Sequence, residues 1–185
     1  LSVDENKVAE NINRETRLVF VGLEKTWNSV SITVRERVPA AVVKHSGIYY
    51  LLDRSGMVLD ESQEEGHFSG LPEVSGIGLA GRNSTRVGAF LNVSSQRQLE
   101  VLSELLLEIK VHSAERIIAS IKLSNMEDIL METVDGFSVR MGDTTHIRGK
   151  IKALLLVREE LLNRNSGSGT IDVSTYTEPT FISET

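Results

Sequence analysis

The sequence predicts an α+β protein: a short helix and a β-hairpin, followed by a β domain in which an antiparallel meander is flanked by two helices. Three features carry this reading. β-Branched and aromatic residues alternate with polar ones at period two in several stretches, as where Val30, Ile32 and Val34 interleave with Ser31, Thr33 and Arg35. Two longer stretches repeat leucine and isoleucine every three or four residues instead, the spacing of one helix face. Between two of the alternating runs stands Asp135-Gly136, a pair that suits the positive φ angles of a tight hairpin turn.

Taken in order, residues 4–12 form a helix that Asp4 caps, with Val8 and Ile12 on one face. Residues 17–25 and 29–37 read as the half-buried strands of the hairpin. Pro39 breaks the second of them, 40–44 resumes an extended run, and 48–53 pairs with 57–59 across Arg54-Ser55-Gly56. The acidic, glycine-punctuated stretch 60–70 reads as an exposed loop. Residues 94–112 form a helix in which Ser95 and Gln98 make a capping box and Leu99, Leu102, Leu106 and Ile109 an apolar stripe. The meander follows, with Ile117, Ala119, Ile121 and Leu123, then Ile129, Met131 and Thr133, then Phe137, Val139 and Met141 turned inward. A second long helix starts near Thr144 or Thr145, carries Ile147, Ile151, Leu154, Leu155, Val157, Leu161 and Leu162, and ends across 163–169. A final strand covers 170–176, and Pro179 limits it.

Composition excludes several kinds of chemistry. The 185 residues include no cysteine, so there is no disulfide, Cys-ligated zinc, iron–sulfur cluster or thiol nucleophile. With 20 basic and 26 acidic residues the net charge is −6, and no basic stripe offsets it, which argues against a nucleic-acid partner. The longest apolar runs, at 18–23 and 153–157, fall far short of the roughly 18 to 20 residues that span a bilayer. The chain opens on Leu1 without an export signal, and it is expected to be a fragment whose targeting segment lies upstream.

The remaining motifs are weak. Gly76-Ile77-Gly78-Leu79-Ala80-Gly81 has the spacing of a dinucleotide-binding turn, but Leu71-Pro72 precedes it and Arg82-Asn83-Ser84-Thr85 follows where a helix is needed, so it reads as a loop and no cofactor is expected. His45, His67, His112 and His146 lack metal-ligand spacing and are expected at the surface, with no metal. No G-x-S-x-G elbow marks a hydrolase, and Asp53, Asp60, Glu61, Glu64 and Glu65 lack a calcium-loop register. Asn83-Ser84-Thr85 and Asn92-Val93-Ser94 fit the short glycosylation acceptor pattern. The last strand is different: Thr170-Ile171-Asp172-Val173-Ser174-Thr175-Tyr176 alternates and comes after the closing helix, so it can lie at a sheet edge and dock a partner by strand addition, or else be an interior strand.

The order of pieces resembles the FtsQ/DivIB family of bacterial cell-division proteins. The likeness runs through Val30-Ser31-Ile32-Thr33-Val34-Arg35-Glu36-Arg37-Val38-Pro39-Ala40-Ala41, Gly47-Ile48-Tyr49-Tyr50-Leu51-Leu52-Asp53, Gly56-Met57-Val58-Leu59 and Leu71-Pro72 before Gly76. It continues in Gly142-Asp143, Lys150, Leu154 and Gly169-Thr170-Ile171-Asp172-Val173-Ser174. Order and spacing, rather than any one piece, carry it. The resemblance implies a single-pass protein of the bacterial cell membrane at the division septum, with a POTRA domain and a β domain outside the membrane. It also implies no enzymatic activity, a scaffold role in septation, and binding of FtsL and FtsB/DivIC-type proteins that helps control septal peptidoglycan synthesis. Only the second helix and last two strands of a POTRA are recognisable here. Asn28 replaces a common proline, and Ser174-Thr175-Tyr176 stands where proteobacterial members carry an Arg-Tyr pair.

The expected division is therefore a partial POTRA over 1–43 and the β domain over 44–183. The expected partner-binding edge is Ile171, Asp172, Val173, Ser174, Thr175 and Tyr176, with Phe181 as an apolar anchor. A POTRA-type outer-membrane or secretion assembly module is the alternative, and an enzyme using the 76–81 loop a distant third. On the edge reading, Val173→Pro leaves the fold largely intact and weakens partner binding.

Overall fold

A computed structural model of the chain describes residues 3–81 and 85–184. Helix α1 (Glu5–Asn13) begins where the extended Asp4 accepts the amides of Asn6 and Lys7 at 3.0 and 3.3 Å. Strands β1 (Leu18–Lys25) and β2 (Val30–Glu36) then form an antiparallel two-stranded sheet with Phe20 opposite Val34 and Leu23 opposite Ile32. The strands are where the alternation puts them, but their burial is shallower than expected: Ile32 and Val34 each remain 45% exposed. Among the described residues α1 is the helix packed on this sheet, and one short helix does not cover an apolar face.

Strands β3 (Pro39–His45), β4 (Ile48–Asp53), β5 (Val58–Ser62) and β6 (Glu73–Ser75) precede helix α2 (Gln96–Val111). Then come β7 (Ile118–Lys122), β8 (Ile129–Thr133), β9 (Ser138–Gly142), helix α3 (Ile147–Asn163), β10 (Gly169–Asp172) and β11 (Thr180–Ser183). All nine strands from β3 onward join one sheet in the order β11-β10-β9-β8-β7-β6-β3-β4-β5. The change from the small sheet to the large one falls at Arg37 and Val38, so the expected division at 43 and 44 lies inside β3. The meander β7-β8-β9 is antiparallel as read, while β6 with β7 and β9 with β10 are parallel. These two pairs are joined through α2 and α3, and a third parallel pair, β3 with β6, through β4, β5 and the 63–72 segment, because a parallel neighbour can be reached only by a crossover.

The two long helices bury one face of the sheet. Leu102, Leu105 and Ile109 from α2 and Ile151 and Leu154 from α3 meet Ile121, Ile129, Met131 and Val139. A β-bulge near Ala119 shifts the β7 pattern, so Ile118 is buried while Ile117 and Ala119 are only half-buried. The 60–70 stretch also differs from the exposed loop expected. Its first residues complete β5, and Phe68 packs with Leu71 over Val42, Tyr49, Leu51, Met57 and Leu59 on the second face of the sheet. At the start of α2 no capping box forms, since Ser95 makes no side-chain cap bond. Gln98 instead accepts from the Gly78 amide at 3.1 Å and donates to the Gly76 and Leu123 carbonyls at 2.9 Å each. An amide side chain has donors and an acceptor, and here three loop backbone groups use them.

Lys150, 1% exposed, is the buried cation of the fold. Its ammonium donates to the Asp143 carboxylate at 2.6 Å and the Asp143 carbonyl at 3.0 Å. The same carboxylate oxygen accepts from the Thr145 hydroxyl at 2.7 Å and amide at 3.0 Å. These bonds, Lys150's first, hold the Asp143 carboxyl well below the usual carboxylate range. Asp143→Ala leaves a buried ammonium without its counter-ion and is expected to cost about 2 to 3 kcal/mol in urea unfolding, with Lys150→Met in the same background recovering part of the loss. Because the folded value is depressed, this contribution is full above about pH 4 and is lost as pH falls through the folded-state value. The acid limb of a melting profile is therefore expected to flatten in Asp143→Asn.

Candidate partner-binding site

Strand β10 is not an edge. It pairs in parallel with β9, Ile171 beside Val139, and antiparallel with β11, Ile171 opposite Phe181. Ile171 and Val173 are fully buried, and the Val173 amide donates to the Arg140 carbonyl at 2.9 Å. The edge expected over 171–176 thus lies one strand further out. The reason is local: Asp172 accepts from the Ser174 amide at 2.8 Å and hydroxyl at 2.5 Å, which turns the chain out of the strand. Ser174, Thr175 and Tyr176 are exposed in the connection, and Pro179 precedes the returning strand.

Close packing holds that connection. Gly142 has φ of 68°, and a Cβ there would sit 2.7 Å from the Ser174 Cβ. A Cβ on Gly149 would sit 2.8 Å from the Tyr176 ring, which lies on α3 and stacks on His146 at 5.2 Å between centroids. Asp172 also faces Arg140 at 3.6 Å, and Arg140 in turn binds Asp128 at 2.7 Å. The bonds to Asp128, then the charge of Asp172, raise the Arg140 pKa.

Among the described residues β11 has no outer neighbour. Phe181 is half-buried and meets Phe137 edge-on at 6.1 Å, whereas Ile182 is 66% exposed. The Glu184 amide donates to the Ser168 carbonyl at 3.1 Å, which fixes the phase of the ladder. Antiparallel alternation then turns the backbone groups of Thr180 and Ile182 toward β10 and those of Phe181 and Ser183 outward. At the other end of the sheet the backbone groups of Val58, the first residue of β5, are occupied, since its amide donates to the Ala89 carbonyl and its carbonyl accepts from Gly88, both at 2.9 Å. Thr180, Ile182 and Ser183 were not among the expected site residues. The available signal was the run of β-prone residues Thr180, Phe181 and Ile182 after Pro179, over only four residues.

The other candidates resolve as packing. Strand β6 does precede Gly76, but no helix follows in the described part of the loop: Ala80 donates to the Asn92 carbonyl at 2.9 Å and Leu79 bridges Val93. His67 and His146 are exposed as expected, whereas His45 and His112 are half-buried with their Nε2 atoms shielded from solvent. Among the described residues no three His, Asp or Glu side chains converge as a metal site, and no described helix is long and apolar enough to cross a membrane. The Asn83 acceptor lies outside the described residues, and Asn92 is exposed with its amide on the Ala80 carbonyl at 3.3 Å.

This geometry reverses the expectation for Val173→Pro. Removing a buried ladder donor is expected to cost about 3 kcal/mol, whereas Ser183→Pro, at an exposed residue whose N–H faces outward, should fall within about 0.5 kcal/mol of the parent in urea unfolding.

No curated protein matches the chain. Residues 41–174 match the model of a family described as cell division protein FtsQ/DivIB, C-terminal, a span running from β3 through the turn after β10. With most of the chain inside that match and a mixed sheet with flanking helices consistent with it, the protein belongs to the FtsQ/DivIB family of cell-division scaffolds.

Proposed function

We propose that this chain acts outside the membrane as a docking platform of the divisome, binding FtsL and FtsB/DivIC-type proteins through the β11 edge and so helping to control septal peptidoglycan synthesis. The family is one of membrane-anchored, non-catalytic division-site proteins that interact with other divisome proteins. The observation that carries the finer reading is the outward-facing backbone of Phe181 and Ser183 on a strand with no outer neighbour among the described residues. An added strand takes its affinity from those main-chain groups and its specificity from alternate side chains. Ile182 supplies the apolar contact on the open face, and Phe181 is anchored from below by Phe137.

Within this reading the 171–176 residues divide by role. Ile171 and Val173 hold β11 in place from the core, while Ser174, Thr175 and Tyr176 flank the docked strand. Helix α1 and the β1–β2 hairpin correspond to part of a POTRA unit, and the membrane anchor lies upstream. The family match over 41–174 favours division over the outer-membrane or secretion assembly alternative.

Calorimetric titration against the extracytoplasmic parts of the same organism's FtsB/DivIC-type and FtsL proteins tests this. Ser183→Pro removes an outward donor and puts a ring on the edge, so it is expected to weaken binding about tenfold or more with an unchanged melting curve. Equal binding by parent and variant moves the docking site away from β11.

A further inference from the structure

We propose that the cleft between the β1–β2 hairpin and the β3–β4 end of the large sheet is a second docking site, for a peptide segment carrying carboxylates beside one or two apolar side chains. It goes beyond the edge-docking role and does not depend on it.

The cleft encloses about 600 Å³. Its apolar floor is Val19, Val38, Pro39, Leu71, Leu106 and Ile109, drawn from both sheets, the 69–71 segment and the end of α2. The volume is in the range of small binding pockets and takes a few side chains rather than a folded element. Its walls are built, not loose. Arg37 binds the Asp53 carboxylate at 2.6 Å, joining the link after the hairpin to the end of β4, and both side chains are largely buried. Asp53 also accepts from the Ser55 amide at 2.8 Å and the Met57 amide at 3.0 Å, which fixes the turn that presents Arg54. On the far wall Lys110 binds Glu115 at 2.6 Å, so that pair too is neutral.

What remains around the mouth is cationic. Arg35, Arg54 and Arg116 line the cleft, are exposed, and form no ion pair among the described residues. Glu36 is the one lining acid in the same condition, so the site holds an excess of two positive charges on a chain whose net charge is −6. An acidic protein that concentrates unpaired arginines around an apolar floor selects an occupant of opposite charge. Exposed arginine–carboxylate pairs in water add little affinity by themselves, so the apolar side chains must supply most of it and the carboxylates the orientation. That combination favours an acidic segment with an apolar centre over a simple anion. The cleft is also remote from β11: six strand steps separate β3 from β11 in the sheet order, roughly 29 Å at the usual strand spacing. Occupants of the two sites therefore need not compete.

The test is fluorescence anisotropy of the whole chain with a labelled hexapeptide in which leucine and phenylalanine are flanked on each side by two acidic residues. One control peptide has the acids changed to lysine, and the other has the apolar pair changed to serine. The parent is expected to bind the first peptide about tenfold more tightly than either control. Arg54→Glu combined with Arg116→Glu, both at exposed positions, should abolish that preference without changing the melting curve, while Ser183→Pro leaves it intact. Binding of the serine control as tight as that of the first peptide, or displacement of the first peptide by inorganic phosphate or anionic phospholipid vesicles at equal charge concentration, would make this a simple anion site and overturn the proposal. So would no binding, or binding unaffected by charge reversal.

Discussion

Lys150 governs the far end of the large sheet. A lysine with 1% exposure is tolerated only if its ammonium is engaged, and Asp143 engages it with both a carboxylate and a carbonyl oxygen. Asp143 follows β9 directly, and Lys150 lies in the first turns of α3, so the pair fixes the angle at which the chain leaves the sheet and enters the helix. The other half of α3 is tied by Arg158, which pairs with Asp135 in the β8–β9 turn. With both halves held, α3 crosses the face it covers and returns the chain beside β9. The parallel position of β10 follows, Ser174 closes against Gly142, and β11 becomes the outermost strand. The buried ion pair thus acts on the candidate site without touching it.

How much of this was legible in the sequence depends on the range of the forces involved. The Leu99, Leu102, Leu106 and Ile109 stripe and the Phe137, Val139 and Met141 alternation are set by helix and strand periods, and both stand in the structure as read. The α+β class followed from them. Gln98 shows the opposite case. Its spacing from Ser95 fits a capping box, yet three backbone groups of the 76–78 loop and of Leu123 outbid the local cap, because buried polar groups must be satisfied from wherever a partner can reach. Nothing in the local sequence signals that contact. Phe68 is similar: surrounded in sequence by acids and glycines, it is drawn down by the uncovered Tyr49 and Leu51 face.

The sheet edge expected at Ile171 to Tyr176 falls one strand further out, at β11. Thr170 to Ser174 alternates well enough to be a strand, and its position after the last helix suggested an edge. Whether a strand is terminal is a property of the whole sheet, decided by the segment that follows. Here that segment is Thr180-Phe181-Ile182-Ser183, too short for a periodic signal to stand out and preceded by a proline that reads as a stop. The family resemblance led to the expectation of a partner-binding edge near the end of the chain without resolving which strand is outermost. The cleft arginines were invisible for another reason: Arg35, Arg54 and Arg116 are scattered along the chain, and only the fold collects them.

The two ends of the large sheet are finished differently, and the difference has a physical meaning. An unpaired strand edge invites uncontrolled association, so a protein has reason to cover it. At the start of β5 this is done, as the 88–89 backbone takes up both Val58 groups. At β11 no segment among the described residues does so. What restrains β11 is its brevity and its polar content: four residues, with Thr180 and Ser183 at the ends and Glu184 just beyond. Such a strand offers only two residues with outward backbone groups, too few to propagate a sheet and enough to help align one added strand. Covering Val58 at one edge and keeping the other edge strand short and polar both reduce the backbone surface on which copies of the chain could associate without control.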